Sequence, residues 1–215
     1  MGRYYSAIRS VVSAACWVVT GWEVAGRDHV PPAGGLIVAS NHISFWDPPL
    51  VGAALPREAH FLAKEELFSN PALGWLIASV NAIPIRRGMV DLQGLARGIE
   101  RLRQGGVLIM FPEGSRMRDG QLHPARPGVS IMANAAGVPI VPCYISGSDR
   151  PGGWITRRTR VRLSFGPARR WKDLAGPDPD DPPSREFHRR VGQAVMRDIA
   201  ALRDAQSKSA SRGAA

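Results

Sequence analysis

Short apolar segments alternate with amphipathic ones along most of the chain. Apolar positions recur at helical spacing around residues 92–102 and 127–137, and a last helix is predicted over 184–204. Six runs rich in Val, Ile, Leu and Phe have the length and composition of buried strands, and they lie at 36–40, 59–63, 82–85, 106–111, 139–145 and 160–165. This alternation predicts an α/β fold: a single domain with a mostly parallel central sheet flanked by helices.

The two ends of the chain are predicted to lie outside that domain. Apolar and aromatic residues from Tyr4 to Trp22 recur at helical spacing, with Arg3 and Arg9 near the start. This run is shorter than the roughly 20 apolar residues that a spanning helix needs. The pattern leaves two options open, a helix in a membrane interface and a helix docked on the core. The predicted parts are an N-terminal membrane-associating helical segment at 1–25, a domain at 26–204 and a disordered tail at 205–215.

Composition narrows the classes of partner. The 215-residue chain carries a formal net charge of +10, which favours an anionic partner such as lipid or a phosphorylated substrate. The arginines are scattered and no nucleic-acid-binding motif is present in the sequence, so no nucleic acid is expected to bind. Cys16 and Cys143 lie far apart without ligand-like spacing, so neither a metal site nor a disulfide is predicted.

A histidine and an aspartate follow the first predicted strand, in the segment 41–48, NHISFWDP. Ligands of open α/β sheets bind at the carboxyl ends of the strands. Residues five apart do not face each other on a helix, so a pairing of His42 with Asp47 requires a turn, which Pro48 favours. His42 could then act as a base oriented by Asp47. The alternative is that Asp47 only caps the helix that follows.

Charged residues also follow three other predicted strands. Glu113 and Arg116 lie in the segment 111–116, FPEGSR, and share the sheet edge of His42 if the strands are parallel. Gly114 permits an unusual backbone turn there. The alternative is an ordinary surface pair of Glu and Arg. Lys64 and the pair Arg86–Arg87 end two further strands, and several cations at one edge could clamp a phosphate group.

Four blocks together resemble the glycerolipid acyltransferases typified by bacterial 1-acyl-sn-glycerol-3-phosphate acyltransferase. They occur in the family's order across about residues 20–165, as NHx4D at 41–47, NAIPIRR at 81–87, FPEGSR at 111–116 and VPIVP at 138–142. Three positions depart from the family pattern. Asn81 replaces the usual Gly, Ser115 the usual Thr, and Arg86 an often acidic residue. The resemblance therefore does not fix the acceptor.

The resemblance implies an O-acyltransferase of phospholipid biosynthesis in which His42 is the general base and Asp47 its orienting partner. It implies no metal and no cofactor, because acyl-CoA or acyl carrier protein serves as a co-substrate. The expected partners are a lysophospholipid acceptor, chiefly 1-acylglycerol-3-phosphate, and the membrane surface. The enzyme is expected at the cytoplasmic face of the cell membrane, peripheral or monotopic. The predicted substrate-binding residues are Lys64, Arg87, Glu113, Gly114, Ser115 and Arg116.

Other functions remain open at the level of sequence. A hydroxyl deprotonated by His42 could attack the thioester directly, whereas a covalent route would use Ser44 or Ser115. Water at the same base would make a thioester hydrolase. A non-catalytic protein that binds anionic lipid or nucleic acid would explain the charge, but it gives no reason for basic residues at strand ends beside a His–Asp pair.

Overall fold

The computed structural model describes residues 3–86, 91–154, 156, 158–176 and 183–212. Within these residues seven strands form one sheet, in the order β1-β7-β6-β2-β5-β3-β4. The strands are β1 (Glu23–Ala25), β2 (Leu36–Ser40), β3 (Ala59–Lys64), β4 (Ala82–Ile85), β5 (Val107–Met110), β6 (Ile140–Ser146) and β7 (Arg162–Phe165). Every neighbouring pair in this sheet is parallel except β6 with β7. The predicted α/β class with a mostly parallel sheet is confirmed.

Helices cover both faces of the sheet. They are α1 (Arg3–Thr20), α2 (Asp47–Ala54), α3 (Pro71–Ser79), α4 (Leu92–Arg103), α5 (Gly128–Ala136) and α6 (Arg185–Arg212). One apolar core lies between the sheet and α2, which contributes Leu50 and Val51. A second core on the other face receives Leu102 from α4, Met132 from α5 and Val191 from α6. Covering both faces explains why the central strands read as continuous apolar runs.

The central strand β2 determines where a site can form. All five of its residues are buried, with Val38 in one core and Ile37 in the other. It pairs in parallel with β5 on one side and β6 on the other, so the carboxyl ends of the three strands meet at one edge. The helix after β2 packs on one face and the helix after β5 on the other. Such a reversal opens a crevice at the ends of the strands.

Both ends of the chain differ from the prediction in detail. Strand β1, three residues long, was not predicted; it pairs with β7 at the edge of the sheet. Helix α6 continues to Arg212, so the prediction of a disordered tail is wrong for residues 205–212. Gln206 anchors the extension, because its amide accepts a hydrogen bond from Ser146 at the end of β6 and donates one to Ser164 on β7. Residues 213–215 lie outside the described ranges.

Helix α1 docks through a small and polar side and leaves its apolar side exposed. Ser13 donates a hydrogen bond of 3.0 Å to a backbone carbonyl of α2, and Cys16 packs against the core. Val11 and Val18, on the opposite side, are 69% and 60% exposed, and Trp17, four residues after Ser13 on the flank of the docked side, is 62% exposed. A helix of a soluble protein normally presents its apolar side to the core. Helix α1 therefore both docks on the domain and keeps apolar side chains exposed.

The end of the N-terminal segment is buried. Trp22, predicted on the same stripe, is instead buried in the core, beyond the end of α1. Within the described ranges, no helix has both the length and the apolar character needed to cross a bilayer.

Candidate active site

The side chains of His42 and Asp47 meet in the turn between β2 and α2. Nδ1 of His42 lies 2.8 Å from Oδ2 of Asp47. An ionised carboxylate only accepts hydrogen bonds, so Nδ1 carries the proton and Nε2, on the opposite edge of the ring, presents its lone pair. This tautomer is the one that a general base needs. The predicted contact between the two side chains is confirmed.

Asp47 holds the turn as well as the histidine. Its Oδ2 also accepts from the backbone N–H groups of Ile43 and Ser44, both at 2.7 Å. Helix α2 begins at Asp47, and Trp46 occupies the capping position before it. The alternative in which Asp47 merely caps the helix is therefore wrong, because its carboxylate points back into the turn. One oxygen both orients His42 and closes the loop that carries it.

Two neighbours from the β5 side fix the position of His42. The ring of Phe111 stacks on the imidazole, with centroids 4.1 Å apart and 21° between the planes. The backbone N–H of Met117 donates to the carbonyl of His42 at 2.7 Å. These contacts exist because β5 runs parallel to β2, so the segment after each strand leaves the sheet at the same edge. The imidazole is largely buried, with 10% of the side chain exposed.

Glu113 lies buried beneath the catalytic turn. Its Oε2 accepts from the backbone N–H of His42 at 2.9 Å, and its Oε1 accepts from that of His123 at 3.1 Å. Burial raises the pKa of this carboxyl, and the two backbone N–H groups lower it in part. Each carboxylate oxygen thus binds a backbone N–H group, and Glu113 holds the His42 turn and the loop after Arg116 together. Direct binding of substrate by Glu113 stays a prediction.

Gly114 has the unusual backbone that the sequence predicted. Its φ is +75°, and a Cβ atom there would lie 2.7 Å from Cδ of Arg126. Any side chain would therefore be strained by this backbone conformation and would displace the side chain of Arg126. Sequence analysis assigned no role to Arg126, whose side chain packs against Gly114 and brings another guanidinium to this loop. The adjoining Ser115 is half-buried, and its predicted role in binding substrate stays a prediction.

The predicted cations differ in their surroundings. Lys64 ends β3 and is exposed, and the β3–β5 register places it at the same sheet edge as the segment 111–116. Arg116 is exposed and immediately precedes Met117, which bonds the His42 carbonyl. Arg86 instead pairs with Glu65, with Nε 2.7 Å from the carboxylate. This pairing argues against its part in a phosphate clamp. Arg87 lies outside the described residues.

The departure at Asn81 has a backbone explanation. Its φ is +65°, a left-handed conformation that Gly adopts freely and Asn tolerates better than most residues. Its side chain donates to Glu58 at 2.9 Å. Because Asn81 precedes β4, it lies at the edge of the sheet opposite the catalytic turn. This substitution therefore says nothing about the acceptor.

Two residues of the site had no role in the sequence-based account. The amide of buried Asn41 exchanges two hydrogen bonds with the backbone of Ile145, which ties the end of β2 to β6. Ser148, in the turn after β6, donates to Oδ1 of Asp47 at 2.5 Å. A search for polar residues after every predicted strand would have found Ser148. Its partner could not be found that way, because the β2–β6 pairing is not written in the sequence.

Metal-ligating residues do not cluster here. Among the residues that the structure describes, no group of three or more His, Cys, Asp or Glu side chains could hold a metal ion. Cys143 is buried beside β2, and burial raises the pKa of its thiol to about 12. A thiol so far from ionisation is a packing residue rather than a nucleophile.

Comparison with known proteins agrees with this geometry. The family profile described as Acyltransferase matches residues 21–146, more than half of the chain. The chain belongs to the acyltransferase family. Every predicted site residue lies within the matched range.

Relatives of known name and structure fit the same family. A Streptococcus pneumoniae 1-acyl-sn-glycerol-3-phosphate acyltransferase is 31% identical over 76% of this chain and 61% of its own length. A Pseudomonas aeruginosa lyso-ornithine lipid O-acyltransferase is 34% identical over 54% of this chain and 44% of its own length. The crystal structure of the Thermotoga maritima 1-acyl-sn-glycerophosphate acyltransferase superposes with a TM-score of 0.71, at 28% identity, covering 93% of this acyltransferase and 79% of that chain. This chain thus spans less than two thirds of both relatives compared by sequence.

Proposed function

We propose that this protein transfers a fatty acyl group from an acyl thioester to the free hydroxyl of a lysophospholipid. The observation that carries the proposal is the position of the His42 ring. Asp47 holds it by Nδ1 and Phe111 supports one face, which leaves Nε2 to receive a proton at the edge of the sheet where ligands bind. Membership of the acyltransferase family supports the same reaction.

The reaction proceeds without a covalent enzyme intermediate. Nε2 of His42 takes the proton of the acceptor hydroxyl as its oxygen attacks the thioester carbonyl. Asp47 stabilises the imidazolium that forms. The tetrahedral intermediate then collapses, the carbon–sulfur bond breaks, and the imidazolium returns the proton to the departing thiolate. The products are an ester and a free thiol, from either coenzyme A or acyl carrier protein. Since the thioester is already activated, no nucleophilic serine is required.

We infer that the acceptor carries a phosphate head group. Arg116 and Lys64 are exposed cations at the edge of the sheet that holds His42, and guanidinium groups match phosphate oxygens in geometry and charge. The named relatives include proteins for two acceptors, 1-acylglycerol-3-phosphate and lyso-ornithine lipid. The second has no phosphate, so the cations favour the first.

Mass spectrometry of the products decides the acceptor. The protein is incubated with an acyl thioester and an equimolar mixture of 1-acylglycerol-3-phosphate and lyso-ornithine lipid. We expect phosphatidic acid as the main product. Acylated ornithine lipid as the main product would overturn the assignment of the acceptor while leaving the acyl transfer intact.

Substituting Arg116 with alanine should weaken use of the acceptor selectively. We expect acceptor kcat/KM to fall by about 10–100-fold, as for the loss of a charge-assisted hydrogen bond, with the KM for the thioester unchanged. Steady-state kinetics with each substrate varied in turn measure both. Arg197→Ala is the control, because it removes the same charge from an exposed site on α6. Equal acceptor kinetics in the two variants would remove Arg116 from the site.

We further propose that the exposed side of α1 rests on the membrane at the cytoplasmic face, as a peripheral or monotopic contact. Its apolar residues face outward, and tryptophan suits the interface between lipid and water. Phe45 and Trp46, in the catalytic turn, are 51% and 47% exposed, so the mouth of the site also offers aromatic surface. The net charge of +10 adds attraction to anionic lipid.

Replacing both Trp17 and Val18 with serine should release the protein from vesicles. Two side chains worth roughly 1.5 kcal/mol each imply binding weaker by about 100-fold. Flotation with anionic vesicles at low and high salt measures it. Ile131→Ser, an exposed apolar position on α5, is the control and should float like the wild type. Undiminished binding of the double variant would place the membrane contact elsewhere.

A further inference from the structure

The carboxylate of Asp47 is held on both oxygens by different parts of the fold. Oδ2 receives His42 and the two backbone N–H groups of the catalytic turn. Oδ1 receives the hydroxyl of Ser148. Both Asp47 and Ser148 are completely buried. A carboxylate needs donors on both oxygens when water is excluded, and the partner of Oδ1 comes from a segment more than 100 residues away in sequence.

The turn that carries Ser148 is built to a tight geometry. Gly147 has a φ of +76°, and a Cβ there would lie 2.2 Å from the carbonyl oxygen of Arg160, so only glycine fits. The carbonyl of Gly147 accepts from the indole N–H of Trp154 at 2.9 Å. Trp154 in turn meets Trp46 edge to face, with centroids 5.8 Å apart. The turn after β6 is therefore braced against the residue next to Asp47.

We propose that Ser148 is a positioning residue of the acyl transfer reaction, which acts on His42 through Asp47. By holding Oδ1 in place, its hydroxyl prevents the carboxylate from rotating and keeps Oδ2 aimed at Nδ1 of His42. The imidazole then keeps the tautomer and direction in which Nε2 meets the acceptor. This inference rests on the proposed role of His42 as the base. It assigns a function to the turn between β6 and β7, which carries none of the predicted site residues.

The test compares Ser148→Ala with Ser146→Ala. Ser146 lies two residues earlier, and its hydroxyl bonds Gln206 instead of the catalytic pair. Ser148→Ala should lower kcat about tenfold, the scale of one hydrogen bond to a charged group, while the KM for the thioester changes by less than about twofold. Ser146→Ala should leave kcat unchanged. Thermal unfolding of both variants checks that they are folded.

A double-substitution cycle shows whether Ser148 acts through Asp47. In an Asp47→Ala background, Ser148→Ala should cost nothing further, because the partner of its hydroxyl is gone. The low-field proton signal of the His42 Nδ1–H group gives a second readout that needs no turnover. It should shift in folded Ser148→Ala and stay in place in Ser146→Ala.

Two results would overturn the inference: wild-type kcat with an unshifted proton signal in folded Ser148→Ala, or a full additional loss in the Asp47→Ala background. Failure of the proposed function gives a different pattern. If His42 is not the base, His42→Ala would keep full activity. The proton signal of the wild type and Ser148→Ala would still show whether Ser148 orients Asp47 and His42.

Discussion

Replacing His42 with alanine should lower kcat by about 10²–10⁴-fold, the range for loss of a positioned general base. The ring is the group that Asp47 orients, and its Nε2 edge is the part that remains for substrate. The fold should survive, because the turn is closed by the backbone bonds of residues 43 and 44 to Asp47 and by the bond of the His42 N–H to Glu113. None of these bonds uses the imidazole.

The matched control is His123→Ala. His123 lies on the loop beside the site, and its ring pairs with Asp119 in an exposed position at 2.8 Å. Its contact with Glu113 uses the backbone N–H, which alanine retains. We expect near wild-type kcat. Acyl transfer measured by thiol release, with circular dichroism as the check of folding, compares the two. Full activity in folded His42→Ala would refute the proposed base.

Replacing Asp47 with asparagine should cost about 10²–10⁴-fold in kcat, because the imidazolium loses its negative partner. The amide has the same shape. Its oxygen can accept from the His42 ring and the backbone N–H groups of the turn, as Oδ2 does. Its NH₂ group would then face Ser148, whose hydroxyl can accept as well as donate. The charge is thus removed with the hydrogen-bonding pattern retained.

The comparison with Asp119→Asn shows whether kcat depends on the negative charge at position 47 itself or on the net charge of the protein. Asp119 is an exposed carboxylate on the same side of the molecule, paired with His123. Its substitution changes the net charge by the same amount and should leave kcat near the wild-type value. Thermal unfolding should show both variants folded. If Asp47→Asn turned over as fast as Asp119→Asn, the buried carboxylate would have no part in the chemistry.

Most of the fold could be predicted because its central strands are buried on both faces. Strand β2 carries an uninterrupted apolar run for that reason, and its predicted bounds are those of the structure. Strand β1 could not be predicted, since three residues at a sheet edge show no periodicity and depend on β7 for pairing. The length of α6 was missed because its last turns are polar and are held by a bond of Gln206 to β7, a strand distant in sequence.

The active site also has parts that could be predicted from the sequence and parts that could not. The contact between His42 and Asp47 is local, so the turn that Pro48 favours made it possible, and the family resemblance favoured it over a simple helix cap. Glu113 could be placed at the correct edge, but its bond to the His42 backbone depends on β5 lying next to β2. Ser148 depends on β6 lying on the other side of β2. The order of the strands depends on the whole chain. Contacts between residues on neighbouring strands therefore cannot be predicted from local sequence motifs.

The most direct test of acyl transfer is the rate of thiol release from an acyl thioester with and without 1-acylglycerol-3-phosphate. Transfer by His42 predicts fast release only when the acceptor is present, a matching yield of acylated lipid, and loss of both in His42→Ala. Release at the same rate without acceptor would mean that water is the substrate of this base and that the protein is a hydrolase. No release under either condition would contradict an enzymatic role for the His42–Asp47 pair.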